Sequence, residues 1–584
     1  MISTHLAETL RKAVALQRDG QPKQAAACYA LACAAAPADP NCGLAYAALL
    51  IELGRNAEAE ACLRPLAALH RRNAELWDLW SVALQLCGKP AESIRASEGA
   101  VAANPRLTRA WVNLALAYLN AGRPLDSLAA QEKALAIDRR CASALHGRAM
   151  ALQHLHRIPE AVEAYGEALA RDPNNFQTRS YRLFALHYLS DVTREQLWTE
   201  HQAFGRQAGA EPAGRPAGDR PGRRLRLAFL SPDLREHSIS YFLEPLLAHL
   251  DRDAFEVVLY HDHYHVDHVS RRLQARASLW RNFVGLSHEV VARQIRDDRI
   301  DVLVDLAGHT GLNRQPMLAR RVAPVQISYL GYPDTTGVAA MDFRLVDPLT
   351  DPPGEADRTS SERLVRFAPA LWAFRPAPDA GAPGPARTGP PVFGSCNNLS
   401  KVSEETLRGW AGILAAVPGS LLRLKSDGLD QAPVAEHFRK RAAAAGIEPG
   451  RLELRGRAPT TAKHLAFYQE IDVALDTFPY HGTTTTCEAL WMGVPVISLA
   501  GDRHCARVGV SLLSAVGRPG WIAGDWNAYI RLAAAAAADR PDRAQVRRSV
   551  SESVLMDHAG QAARFGAAVR ECWTRDLRDN AQAA

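Results

Sequence analysis

Glycines at positions 20, 54, 88 and 122 recur every 34 residues, and His156 takes the next slot. Two further columns keep the same phase: Trp77, Trp111 and Leu145, and Ala32, Leu66, Ala100, Ala134 and Ala168. Pro37, Pro105 and Pro173 mark unit ends. A period of this length, with a glycine between two amphipathic segments, predicts stacked helix pairs. One such pair cannot bury its apolar face alone, so stacking on neighbours is what stabilises it. About five units fit between residues 3 and 175, with a helical cap that completes an array over 1–205.

The period and its columns resemble tetratricopeptide repeats. Beyond them the pattern breaks at "GAEPAGRPAGDRPGRR" (209–224), rich in Pro, Gly and Arg, so 206–224 reads as a linker. Short apolar runs then alternate with helix-length segments: "RLRLAFLSPD" (224–233), "FEVVLYH" (255–261), "DVLVDLAG" (301–308), "PVQISYLGY" (324–332) and "FRLVD" (343–347). A second Pro/Gly-rich, disordered-looking stretch, "PAPDAGAPGPARTGPP" (376–391), interrupts them. The alternation resumes with "PVFGSCN" (391–397), "SLLRLKS" (420–426), "RLELRG" (451–456), "DVALDT" (472–477) and "PVISLAG" (495–501). Alternation of this kind predicts parallel βαβ units. The expected fold is therefore α plus α/β: an α-solenoid, then two Rossmann-like lobes over 225–375 and 391–584, joined by a linker at 376–390. Ligands bind in this class at the strand C-termini.

With 584 residues the chain is too long for one core. Its balance of 47% hydrophobic and 23% charged residues is that of a globular protein, and a net charge of +6 is too small to argue for nucleic acid. No apolar run approaches membrane-spanning length, and the N-terminal segment has no signal-peptide core, so a cytoplasmic protein is expected. The ten cysteines contain no C-x-x-C pair and read as buried small apolar residues of a reducing compartment.

The chemistry concentrates in "DTFPYHGTTTTCEALWMGVPV" (476–496), where a strand hands over to a helix. Gly482 permits close backbone approach. The free N–H groups of a helix start favour an anion, and Thr484 and Thr485 add hydroxyls. Glu488, one turn further in, can accept from a ribose diol. The set suits a nucleotide diphosphate. The structural alternative is that Thr483 is an N-cap and Glu488 its capping-box partner.

Five motifs in order, "SPDLREHSISYF" (231–242), "DLAGHT" (305–310), "YLGYPDTTG" (329–337), "FGSCNNLSKV" (393–402) and "DTFPYHGTTTTCEALWMGVPVISLAG" (476–501), resemble the O-GlcNAc transferase family. The wording is closest to its SPINDLY branch, and the resemblance covers nearly the whole chain. It implies a GT-B glycosyltransferase, inverting and metal-independent, that modifies Ser or Thr of polypeptides presented by the repeats. No cofactor is expected beyond the nucleotide-sugar co-substrate. By the same resemblance, His237 lines the sugar and acceptor site, as general base or as a sugar contact. Lys401 neutralises the departing diphosphate, with Asn398 beside it. His464 lies near the base, and Thr483, Thr484, Thr485 and Glu488 fall at the phosphate and ribose. His309 is expected to line the cleft, and Tyr332 and Pro333 to shape the acceptor side.

The sequence departs from the family's animal members, which carry histidine at the position of Thr483 and aspartate at that of Glu488. The threonine-rich form belongs to the SPINDLY branch, whose plant members use GDP-fucose. The donor therefore stands between UDP-GlcNAc, the family default, and GDP-fucose. The column that holds an asparagine ladder in the animal enzyme reads Arg11, Ala45, Leu79, Asn113 and Gly147 here, so peptide recognition through such a ladder is not expected. "HDHYHVDH" (261–268) is dense enough for a metal, but it follows a strand and reads as a polar loop. "DRD" (251–253) precedes a strand and is set aside as a metal motif. A repeat scaffold with catalytically silent lobes is the rival reading; the intact Lys401, His237 and threonine turn weigh against it. No membrane or nucleic-acid partner is implied, and oligomerisation is left open.

Overall fold

The computed structural model describes residues 2–209 and 223–583 and divides into two compact units. One takes the chain through Thr178 together with His261–His265 and Arg281–Gln294. The other holds Arg179–Tyr260, Val266–Trp280 and the chain from Ile295 onward. Most of the expected linker at 206–224 lies outside the described residues. No described helix is long and apolar enough to cross a membrane.

The first unit contains five helix pairs: α1 (Ile2–Arg18) and α2 (Pro22–Ala35), α3 (Pro40–Glu52) and α4 (Asn56–Leu69), α5 (Ala74–Leu86) and α6 (Pro90–Ala103), α7 (Thr108–Asn120) and α8 (Pro124–Ile137), α9 (Ala142–His154) and α10 (Ile158–Arg171). The 34-residue columns now have causes. Gly20, Gly54, Gly88 and Gly122 turn each pair at φ 71°, 72°, 70° and 71°, the left-handed region where a Cβ is costly. His156 accepts the same conformation at φ 59°. Proline opens α2, α3, α6 and α8, where its missing N–H costs nothing. Ala32, Leu66, Ala100, Ala134 and Ala168 are all buried between helices. The Trp77 and Trp111 indoles donate to the carbonyls of Arg71 and Pro105, at 3.2 and 2.9 Å, which fixes both rings alike. Asn113 donates its amide to Asp78 at 2.7 Å, and Arg109 donates to the same carboxylate at 2.6 Å. The one asparagine of the ladder column is thus committed inside the array.

The second unit opens with α11 (Phe176–Leu186) and α12 (Arg194–Ala208), apart from the first residues of α11. These helices were expected to cap the array over its last residues to 205. They instead interlock with the first lobe, because Ser180, His187 and His201 all hydrogen-bond its loops. Thr193 caps α12 with a reciprocal Thr193–Gln196 capping box.

The first sheet is built from β1 (Leu225–Ser231), β2 (Phe255–His261), β3 (Leu279–Asn282), β4 (Val302–Asp305), β5 (Val325–Ser328), β6 (Phe343–Val346) and β7 (Arg363–Arg366), in the order β3-β2-β1-β4-β5-β6-β7. The second is built from β8 (Val392–Ser395), β9 (Leu421–Lys425), β10 (Leu452–Arg455), β11 (Val473–Leu475), β12 (Val496–Leu499) and β13 (Ile522–Ala523), in the order β10-β9-β8-β11-β12-β13. Pairing is parallel from β1 through β4, β5 and β6 to β7 and across the second sheet, with Leu227 beside Val302 in one and Val473 beside Phe393 in the other. Both are doubly wound, and the order reverses beside β1 and beside β8. That places the ligand-binding crevice of each lobe at the C-terminal ends of those strands.

Two departures from the expected boundaries stand out. The C-terminal helix, His558–Ala583, does not stay with the second lobe: it packs on Ser240–His249 of the first, and Phe565 stacks on Phe229 with ring centroids 5.9 Å apart. The apolar face of Phe565, Val569, Cys572 and Trp573 is buried there, which explains the crossing. The stretch 376–391 has no helix or strand, yet it is anchored: Arg387 pairs with Asp472 at 3.3 Å, and Arg540 and Arg547 donate to its carbonyls. The two lobes are further clamped by Arg344, Asp351 and His504. Arg344 bonds Asp351 at 3.1 Å, and His504 Nδ1 sits 2.5 Å from the same carboxylate. Burial opposes the charge on Asp351, but Arg344 and His504 hold its pKa well below the carboxylate range. Ser511 donates to Asp347 at 2.7 Å across the same seam.

Candidate active site

The loop after β11 is organised by Asp476. One oxygen of its carboxylate accepts from the backbone N–H of Thr477 and Gly482 at 2.9 and 2.8 Å, and from the Asn397 amide at 3.2 Å. The other accepts from Ser498 at 2.5 Å. A Cβ on Gly482 would lie 2.2 Å from Thr485 Oγ1 and 2.7 Å from Asn397 Oδ1, so only glycine fits this close turn. The helix Thr484–Trp491 starts immediately afterwards.

Thr483 occupies the N-cap position but makes no side-chain cap bond, and Glu488 does not reach back to it. The capping-box alternative is therefore not what the residues do. Thr485 donates to Asn397 at 2.7 Å and Thr486 to the Gly482 carbonyl at 3.1 Å. Thr484 Oγ1 is buried and has no hydrogen-bond partner. A buried orphan hydroxyl at a helix N-terminus has the chemistry an anionic ligand would satisfy.

Lys401 comes from the turn after β8. Its Nζ donates to the His481 carbonyl at 2.8 Å and lies 4.2 Å from the centre of the Tyr480 ring. Burial pushes its pKa down to about 8, with Asp476 working against the fall. Asn398, expected beside the diphosphate, is exposed, and its side chain accepts from Ser400 N–H at 2.9 Å. It shapes the turn that carries Lys401, while its neighbour Asn397 is the residue that bridges Thr485 and Asp476.

His464 and Glu488 meet directly, His464 Nε2 lying 2.9 Å from Glu488 Oε2. The other imidazole nitrogen, Nδ1, receives Lys425 Nζ at 2.7 Å. An ammonium can only donate, so Nδ1 carries a lone pair and Nε2 carries the proton given to Glu488. Tyr468 donates to the Thr485 carbonyl at 3.2 Å and touches the same carboxylate at 3.4 Å. Burial lowers the pKa of Lys425. Lys425, Tyr468, Asp476 and Asn397 were not anticipated from sequence as site residues.

His237 lies in the loop between β1 and the helix Ser240–His249, with 42% of its side chain exposed. The surrounding protein desolvates its imidazole and lowers its pKa, against the pull of Asp233. Its loop is pinned from behind: Asp267 caps the helix His268–Gln274 and also accepts from Glu236 N–H at 2.7 Å.

His309 and Tyr332, expected to line the cleft and shape the acceptor side, are held by partners inside the protein. His309 is fully buried and satisfied on both nitrogens, by Ser180 Oγ at 2.9 Å and the Thr336 carbonyl at 2.7 Å. Burial drives its pKa down to about 3. The Tyr332 hydroxyl sits between His201 Nε2 at 2.8 Å and His187 Nε2 at 3.1 Å, and Pro333 is buried beside it. These residues join α11 and α12 to the first lobe. His187, His201 and Asp334 place ligand-type atoms within 4.8 Å of one another there. Tyr332 already bonds both imidazoles, and burial, helped by the positive Arg503 and Arg344, holds the His187 pKa well down, so the group reads as structural. Among the described residues the 261–268 run forms no such group.

Aromatic contacts connect this junction to the Lys401 side of the second lobe. Phe184 lies 6.3 Å from both Tyr332 and Tyr480, and Tyr188 packs 5.2 Å from Tyr480, whose ring faces Lys401.

Two facing Rossmann-like lobes, with an anion-receptive helix start and an ammonium bonded to the His481 carbonyl just before it, define a GT-B-type glycosyltransferase fold carrying a tetratricopeptide array. A family model for glycosyl transferase family 41 matches residues 214–372 and 388–560, and tetratricopeptide models match 108–141 and 142–175. The chain belongs to glycosyl transferase family 41. It is 36% identical over 417 residues to a probable UDP-N-acetylglucosamine–peptide N-acetylglucosaminyltransferase SPINDLY of Solanum lycopersicum, covering 69% of this chain and 45% of that protein. The SEC protein of Arabidopsis thaliana, with the same kind of name, is 31% identical over 54% of this chain and 33% of its own length. The chain thus spans less than half of these curated relatives. A solved structure of a Thermobaculum terrenum O-GlcNAc transferase mutant superposes with TM-score 0.81 at 32% identity, covering 87% of this chain and 98% of that one.

Proposed function

We propose that the chain is a cytoplasmic protein O-glycosyltransferase. It moves a monosaccharide from a nucleotide diphosphate sugar to Ser or Thr hydroxyls of polypeptides held by the repeats, with inversion and without a metal. The observation that carries this reading is the pairing of the orphan Thr484 hydroxyl with Lys401 at one helix N-terminus. In the reaction the acceptor oxygen attacks the anomeric carbon, the bond to the diphosphate oxygen breaks, and that oxygen leaves with the electron pair. Negative charge grows where Lys401, the helix N–H groups and Thr484 already point, so it is stabilised without reorganisation. His464 and Glu488, held by Lys425 and Tyr468, form the nucleoside end of the site. His237 stands at the first lobe's side, neutral near pH 7, suited to the sugar or to the acceptor proton.

UDP-GlcNAc is the proposed donor, on the names of the relatives. GDP-fucose is favoured by one observation: Thr483 and Glu488 stand where the UDP-GlcNAc branch carries histidine and aspartate. Incubation of the purified chain with each donor, in EDTA and without acceptor, tests both readings through slow release of UDP or GDP. Release from the uridine donor supports the proposal; release only from GDP-fucose replaces the donor; release from neither leaves the silent scaffold.

A further inference from the structure

Three thiols meet in the first two repeats, away from the nucleotide site. Cys33 lies near the end of α2, Cys42 in the first turn of α3 and Cys62 in α4. The sulfurs of Cys33 and Cys42 are 2.9 Å apart. A disulfide is about 2.05 Å long, so bonding asks for a movement of about 1 Å. Cys62 faces the same step: a Cβ on Gly43, next to Cys42, would lie 3.9 Å from its sulfur, and the missing side chain lets α4 come this near. Cys33 also interacts with Cys62. Its S–H is the largest influence lowering the Cys62 pKa, and it is itself held well above the thiol range. Cys33 and Cys62 are partly exposed, while Cys42 is buried. An oxidant therefore meets the outer two thiols first.

We infer that Cys33, Cys42 and Cys62 form a redox-active thiol site that takes a hydroperoxide and closes a reversible disulfide from Cys33 to Cys42. The Cys62 thiolate attacks the peroxide oxygen and becomes a sulfenic acid, and the leaving alkoxide or hydroxide takes up a proton. The Cys33 thiol attacks the Cys62 sulfur, forms the disulfide and releases water. Cys42 then attacks Cys33 by thiol–disulfide exchange, and Cys62 leaves as thiolate. Overall, two thiols lose two electrons and two protons, and one hydroperoxide becomes an alcohol (or water) and water. The product joins the second helix of one repeat to the first helix of the next. That is the nearest-neighbour interface on which a solenoid depends.

The test uses the whole 584-residue chain, reduced, freed of reductant, exposed to hydrogen peroxide, alkylated and digested with trypsin. Cys33 and Cys42 share the peptide 24–55 with Cys28, and Cys62 falls in 56–71. The expected product is peptide 24–55 short of two hydrogens, alkylated only at Cys28 and restored by dithiothreitol. Its halves stay joined after acid cleavage at Asp39–Pro40. In Cys42→Ala the bridge moves to Cys33–Cys62 and links the two peptides; in Cys33→Ala both bridges are lost. Oxygen adducts without any disulfide in the unmodified chain, or a bridge that survives Cys33→Ala, would overturn the inference. The unmodified chain alone decides if a variant does not fold.

Discussion

Lys401 Nζ donates to the His481 carbonyl at 2.8 Å, across the turn that presents the threonine-rich helix start. The ammonium is thereby parked at the helix N-terminus before any ligand arrives. Lys401→Ala is expected to lower kcat by the equivalent of about 2.7–4 kcal/mol, the scale of one preorganised donor. Lys401→Arg keeps the charge and should retain more activity than Ala. Steady-state kinetics of both variants check this; equal losses would remove charge as the reason.

The lowered pKa of Lys401, about 8, sets a basic limb. The group is protonated below that value and loses its charge as pH rises through it. The kcat/KM profile, which reports the free enzyme, should fall above about 8 in the unmodified chain. In Lys401→Arg that limb should move well upward. A limb that stays in place belongs to another group.

Thr484 offers a separation of stability from affinity. Its hydroxyl is buried with no protein partner, so Thr484→Val removes a desolvated polar group and breaks no bond. Tm should hold or rise, while donor binding weakens by about 1.5–3 kcal/mol, the value of a hydrogen bond to a charged group. Calorimetry and donor titration measure the two sides. A fall in Tm with unchanged affinity would make Thr484 structural.

Lys425→Met removes the donor that holds His464 Nδ1 and so frees the imidazole that faces Glu488. The expected result is a raised donor KM with kcat largely kept, the pattern of lost uniform binding. A kcat loss without a KM change would place Lys425 at the reacting phosphate instead.

His309→Ala should damage the fold rather than the chemistry. It strands the Ser180 hydroxyl and the Thr336 carbonyl in the interior, at a cost of about 1–3 kcal/mol for each unsatisfied group. Denaturant unfolding reads that cost. The folded fraction should keep its kcat; a specific kcat loss at full folding would restore His309 to the cleft.

All ten strands expected from the apolar runs are present, and the 34-residue period located every helix pair of the array. The strands that escaped notice, β3, β7 and β13, are short, and β3 and β7 are partly exposed, so they lack the apolar run that marks a central strand. The C-terminal helix carries an ordinary amphipathic pattern, which tells that a face is buried but not against which lobe. In the candidate site, Thr484 and Glu488 were read from the strand-to-helix handover, whereas Lys401 and His464 came only through the family resemblance, since a lone lysine or histidine has no local signature. A strand-end histidine such as His309 reads the same whether it lines a cleft or sits satisfied in a core, and its partners Ser180 and Thr336 lie far away in sequence. Asp476 was visible at the head of the threonine motif. Its role as acceptor for four groups depends on contacts from β12 and the β8 turn, which no local pattern carries.

The most direct test of the account is a single-turnover measurement of nucleoside diphosphate release from UDP-GlcNAc in EDTA, with the unmodified chain beside Lys401→Met. The account predicts measurable UDP from the unmodified chain and a collapse of the rate in the variant, with donor still protecting both from thermal unfolding. Equal rates in the two proteins, or no release from either while the donor binds, would contradict it.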